Sequence, residues 1–175
     1  MAYSVPATHL IKNKVIAQNL DASSTTAAHE LGYTVRTTTG KEFIYVHVCA
    51  TNVVTHAGYP AYWLSGGSEY YVDSDFSDCQ ENDGTDGPVG AVFAGVFACA
   101  IAAAHGTNCY CWIQTKGEVP DASVSTDVTA QECLVAKGDA FLDVYSTAAE
   151  SSSYVVAYAL EAVSGDTADI MLIDR

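Results

Sequence analysis

Apolar, β-branched and aromatic runs separated by turn residues recur along this chain from residue 33 onward, and helix signals are nearly absent. Residues 33–38 and 42–49 are rich in β-branched and aromatic side chains and flank Thr39-Gly40-Lys41, which predicts a hairpin with Gly40 at the turn. In the second arm Phe43, Tyr45, His47 and Cys49 share one face, while Ile44, Val46, Val48 and Ala50 share the other. Both faces are largely apolar, which predicts a central strand. Residues 55–64 read as a turn leading to a short strand, closed by Ser65-Gly66-Gly67-Ser68, with a return strand at 69–72.

Two further strands are predicted at 91–97 and 108–115. The second contains Tyr110-Cys111-Trp112-Ile113-Gln114-Thr115-Lys116-Gly117, with Gly117 as its end. The apolar run 89–104 is too short to span a bilayer comfortably and reads as a buried strand with its turn. The last third repeats the plan: strands leading to Lys137-Gly138-Asp139, a return over 140–145, then 154–162 and 168–174 placed as 91–98 and 108–115 are. The spacing of this weak internal duplication is about 60 residues. The fold expected is all-β: the repeats as halves of one small β-barrel, two small barrels in series, or a sandwich. Residues 1–30 lack periodicity and are expected as an extended arm, of a kind often ordered only against a neighbour. Residues 31–175 form the β-rich domain, either as one unit or as halves 31–118 and 119–175.

Charge narrows the function. Seven basic residues stand against 21 acidic ones, for a net charge of -14. Phosphate backbones and anionic membranes are held by Lys and Arg, so neither nucleic acid nor membrane is an expected partner. The opening Met1-Ala2-Tyr3-Ser4-Val5-Pro6 lacks the basic start and apolar core of a secretory signal. The six cysteines, Cys49, Cys79, Cys99, Cys109, Cys111 and Cys133, are expected as reduced core residues of a protein assembled in a cytosol.

Candidate chemistry is sparse. The acidic loop 73–87 offers Asp73, Asp75, Asp78 and Asp83 as calcium candidates, but lacks the Gly and Glu positions of an EF-hand and reads as a solvated surface. His47-x-Cys49 and Cys109-x-Cys111 place thiol and imidazole groups two apart on strands, a spacing uncommon for structural zinc. No nucleophile elbow, phosphate loop or dinucleotide fingerprint occurs. Neither catalysis nor a cofactor is expected. Tyr59, Tyr62, Trp63, Tyr70 and Tyr71 cluster within a short stretch and are the candidate interface residues. Together with the acidic loop they also allow an alternative, a carbohydrate- or receptor-binding β module of a virion or cell surface.

Three segments carry a family resemblance. LGYTVRTTTGKEFIYVHV, GVFACAIAAAHGTNCYCWIQTKG and the tail VAKGDAFLDV…YVVAYALEAVSGDTADIMLI resemble, in that order, the strand-and-turn segments of tailed-bacteriophage capsid decoration (cement, head-stabilising) proteins. The resemblance implies a small β-barrel or β-tulip protein on the outer surface of an icosahedral virion. It further implies a homotrimer at local threefold axes, cementing major capsid protein subunits, with no catalytic residue. The Asp-rich loop and the cysteines belong to no part of that pattern.

Overall fold

The computed structural model describes residues 18–49, 54, 56–64, 69–74, 81–82, 88–89, 92–101, 108–136, 141–145 and 155–173. Twelve strands and no helix occur among them. They are β1 (Thr34–Arg36), β2 (Glu42–Val48), β3 (Pro60–Trp63), β4 (Tyr71–Asp73), β5 (Glu81–Asn82), β6 (Pro88–Val89), β7 (Phe93–Phe97), β8 (Cys109–Ser123), β9 (Cys133–Ala136), β10 (Leu142–Val144), β11 (Val155–Ala159) and β12 (Thr167–Leu172). The chain is all-β, a small barrel extended by further strands.

The predicted hairpin is β1–β2, paired antiparallel with Val35 opposite Phe43, and Gly40 sits between them at φ 86°. That backbone conformation suits glycine because no Cβ meets the preceding carbonyl. The expectation that 42–49 is central holds. β2 pairs with β1 and, in parallel, with β4, while its full length pairs antiparallel with β8. The short strand predicted within 55–64 is β3, and its return partner is β4, with Tyr62 opposite Asp73. β3 then pairs with β7 and β7 with β8, so β2–β4–β3–β7–β8 closes into a five-stranded barrel.

One expectation is corrected. The strand of the YCWIQTKG stretch does not end at Gly117 but runs 15 residues, from Cys109 to Ser123. Thr115 is an extra residue against β2: Phe43 lies opposite Gln114 and Glu42 opposite Lys116. Such a bulge bends and twists a strand. Beyond it, β8 leaves the barrel and pairs with β12, Leu172 opposite Gly117 and Thr167 opposite Ser123. A second sheet continues as β8–β12–β11–β9–β10. Thus β8 crosses the division between residues 118 and 119 and belongs to both sheets. The antiparallel pairs β7–β8 and β11–β12 occupy the corresponding positions of the duplicated pattern.

Three apolar cores result. The barrel interior holds Val46, Val48, Ala61, Val72, Phe97, Cys109, Cys111 and Ile113. The inner face of the second sheet, with Leu134, Leu142, Ala157, Ile170 and Leu172, packs on Val96 and Phe93 of β7, which point out of the barrel. A third cluster lies on the outer face of β2 and β8, where Phe43, Tyr45 and Trp112 are covered by Leu20 and Val35. Alternation along β8 therefore serves two cores at once, Cys111 and Ile113 inward, Trp112 outward. The apolar run 89–104 supplies β7, Cys99 and Ile101 to the barrel.

Candidate functional site

The described part of the arm, residues 18–30, is fixed against its own barrel rather than awaiting a neighbour. Ser24 and Tyr110 exchange backbone hydrogen bonds at 2.9 and 2.7 Å. Gln18, 7% exposed, donates from Nε2 to Ala22 O at 2.6 Å and Tyr110 O at 3.2 Å, and accepts at Oε1 from the Tyr45 hydroxyl at 2.7 Å. The same Tyr45 oxygen accepts from Ala28 N–H at 3.0 Å, and the Trp112 indole N–H donates to Gln18 O at 3.3 Å. Each buried polar group here has a partner, so the segment is held without the desolvation cost of an orphaned donor.

Beneath the arm the rings form a continuous cluster. His29 stacks on Tyr33 with centroids 5.1 Å apart, and lies 5.2 Å from Tyr45 and 5.3 Å from Trp112. Tyr45 meets Trp112 at 5.0 Å and Tyr110 at 6.3 Å; Tyr110 meets His47 at 4.9 Å, and His47 meets Tyr71 at 4.3 Å. These separations are those of favourable aromatic pairs. Burial lowers the His29 pKa and raises that of Tyr45, favouring the neutral form of each. His47 also bonds to Asn108 through Nε2 and to the Cys49 thiol through Nδ1, at 3.3 Å for the latter. The imidazole's two nitrogens are thus occupied by protein groups.

The five candidate interface aromatics separate. Tyr62 is fully buried, packed edge-on against Phe93 at 6.4 Å, and is removed from any surface role. Tyr59 and Trp63 are half-buried against the barrel core. Tyr70 lies 6.1 Å from Trp63, and Tyr71 packs on His47. All four are half-buried, each with its ring against a neighbouring ring. The sequence grouped all five because they lie within one short stretch. β3 alternates, however, and Tyr62 takes the opposite side from Trp63.

Asp73 is buried, 2% exposed, at the end of β4, and it raises the Cys49 pKa after burial itself. Asp73 is thus part of strand β4 rather than of a solvated loop. Asp75, Asp78 and Asp83 lie outside the described residues. Among the described residues no three His, Cys, Asp or Glu side chains gather as a metal site.

The barrel's thiols form their own group. Cys49, Cys99, Cys109, Cys111 and Cys133 are all free, and Cys79 lies outside the described residues. Burial, then the proximity of Cys99 and Cys49, pushes the Cys109 pKa up to about 11. Cys111 is raised well above its ordinary value by burial and by its hydrogen bond with Cys99. The nucleophile is the thiolate, so these groups are inert as packed. Cys133 is exposed. In a Cys79→Ser variant, maleimide labelling at neutral pH is expected to modify Cys133 quickly while Cys99, Cys109 and Cys111 react only after denaturation. Rapid native labelling of the barrel thiols, read by mass spectrometry, contradicts the packing described.

Compared with known proteins, the chain matches no family model, no curated protein and no solved structure. What it does must therefore be argued from its own surfaces. Among the described residues, four of the five exposed large apolar side chains, Phe141, Tyr145, Tyr158 and Leu160, lie in or beside the strands of the second sheet, away from the aromatics singled out in the sequence. The sequence signal was available in the alternation of 167–172, which leaves Met171 on the side opposite Ile170 and Leu172.

Proposed function

We propose that this chain is a structural virion protein that decorates the outer surface of an icosahedral bacteriophage capsid and cements its major capsid protein. The observation that carries the reading is the scaffold itself: a closed barrel and an open sheet joined by one continuous strand, with an N-terminal segment sewn across the barrel wall. A cement protein needs a rigid body offering extended surfaces, and repetition on a lattice multiplies modest contacts into tight attachment. The net charge of -14 suits an exterior position, away from packaged DNA. Self-association as a trimer at local threefold axes is part of the proposal. The half-buried Tyr59, Trp63, Tyr70 and Tyr71 are the side chains offered to that contact. A sugar-binding module is less well supported, because stacking on a sugar needs open ring faces and these rings are engaged by the barrel.

Purified particles provide the test. Quantitative mass spectrometry is expected to find this chain at a copy number comparable to that of the shell subunit, and cryo-electron microscopy to place it on the outer surface. A few copies per particle, or a position confined to the tail, contradicts the proposal.

A further inference from the structure

The second sheet has two unlike faces. Along β12, Ala168, Ile170 and Leu172 point to the barrel, and Thr167, Asp169 and Met171 alternate to the other side. Strand register carries that outer side across the sheet. Met171 lies opposite Tyr158, Tyr158 lies opposite Cys133, and Tyr145 N–H donates to Cys133 O at 2.9 Å. One row, Tyr145–Cys133–Tyr158–Met171, therefore runs across four strands. Tyr158 and Tyr145 are 39% and 37% exposed. By the same alternation Phe141 shares the outer side of β10 with Tyr145, and Leu160 shares that of β11 with Tyr158.

The described charges around this row are predominantly acidic, with Lys116 of β8 a basic exception. Glu118 lies opposite Met171, and Leu160 N–H bonds to the carbonyl of Asp169. Over residues 117–173 the described chain carries eight carboxylates, Glu118, Asp121, Asp127, Glu132, Asp143, Glu161, Asp166 and Asp169, and no Lys or Arg. An exposed apolar row on a sheet with a charged rim has the anatomy of a protein interface: aromatic and Met side chains at the centre, charge at the edge. A second copy of this chain would oppose carboxylates with carboxylates, and an anionic membrane would repel them equally.

We infer that this outer face of the second sheet is a docking surface for a basic patch on another protein. The inference rests on the proposed function, which makes that protein the capsid shell subunit. Tyr158 and Tyr145 are the anchors, and the carboxylates set orientation and draw the partner in.

The experiment uses heads stripped of this protein and rebound with purified chain. Wild type is expected to bind, with affinity falling as salt rises because exposed charge pairs are screened. Tyr145→Ser/Tyr158→Ser is expected to bind about ten-fold weaker or worse. Glu118→Lys is expected to bind several-fold weaker, and Val92→Ser, an exposed apolar position outside the second sheet, to bind as wild type. Circular dichroism and thermal midpoints establish that each variant is folded. Should the double variant not fold, a photocrosslinker attached at Cys133 in a Cys79→Ser background provides the second measurement, with a covalent product containing the shell subunit expected. Binding of wild type with unchanged affinity in both face variants, no crosslink on occupied heads, or a product of two copies of this chain overturns the docking face and leaves the decoration reading standing. Failure of wild type to bind stripped heads overturns both.

Discussion

Replacing Trp112 with alanine is expected to destabilise the protein by about 3–5 kcal/mol and to release residues 18–33 from the barrel wall. Trp112 is fully buried and is the largest such side chain. It touches Tyr45, Tyr33 and His29 and donates its indole N–H to Gln18 O. Truncation removes the floor on which the arm rests and leaves a cavity between two rigid strands that cannot close over it. Since small domains are stable by only about 5–15 kcal/mol, this is a large fraction of the total. Denaturant unfolding gives the magnitude, and amide hydrogen exchange over 18–33 reports the arm. Trp112→Phe keeps most of the buried area and loses the hydrogen bond, so it is expected to cost less, about 1–2 kcal/mol. Equal losses in both variants, or unchanged exchange in the arm of Trp112→Ala, would contradict the role assigned to this ring.

The second large effect is expected at Gly95. Its φ is 151°, and a Cβ there would stand 2.5 Å from the backbone carbonyl oxygen of Gln114. Gln114 is the residue at which β8 bends out of the barrel, and its Nε2 braces the bend by donating to Lys116 O and Glu118 O, both at 3.0 Å. The obstructing atom is backbone, so a methyl group cannot be accommodated by turning a side chain. Gly95→Ala combines backbone strain of about 1–3 kcal/mol with overpacking of a similar size, giving an expected loss of about 2–6 kcal/mol. Gly40→Ala is the comparison. Its φ is also positive, but nothing lies within 4 Å of the added methyl. Only the conformational cost remains there, about 1 kcal/mol. Thermal midpoints of the two variants check the difference, and an equal shift would show that the β7–β8 approach is looser than the geometry requires.

The sequence made the local elements legible where alternation ran between turn residues. β2 carries apolar groups on both faces, Gly40 marks its hairpin, and β7 sits within the most apolar run. Closure of the barrel was not legible at the level of pairing. β2 meets β8 across more than sixty residues, and periodicity within a strand says nothing about which distant strand it joins. The continuation of β8 was hidden by Gly117 and Pro120, both ordinary terminators. Here Gly117 stands just beyond the bulge, and Pro120 lies where β8 and β12 pass through a register shift. The arm was hidden for a different reason. Its attachment uses backbone bonds at Ser24, the amide of Gln18 and the lone buried Leu20, and none of these leaves a hydrophobic pattern. Of the proposed interface aromatics, Tyr62 was misassigned because its strand's direction relative to the core is a tertiary property.

A strand held jointly by two layers leaves no seam along which they can part. Melting the barrel strips β8 of β2 and β7, and the remainder of β8 then lacks the support that positions it for β12. The molecule is thus expected to come apart cooperatively, in a single all-or-none transition. Both tryptophans, Trp63 and Trp112, lie on the barrel side, so their fluorescence follows one layer while far-ultraviolet circular dichroism follows both. Superimposable denaturation curves from the two signals are the mark of that unity, and an early fluorescence change with half the β signal intact would show two independently melting bodies.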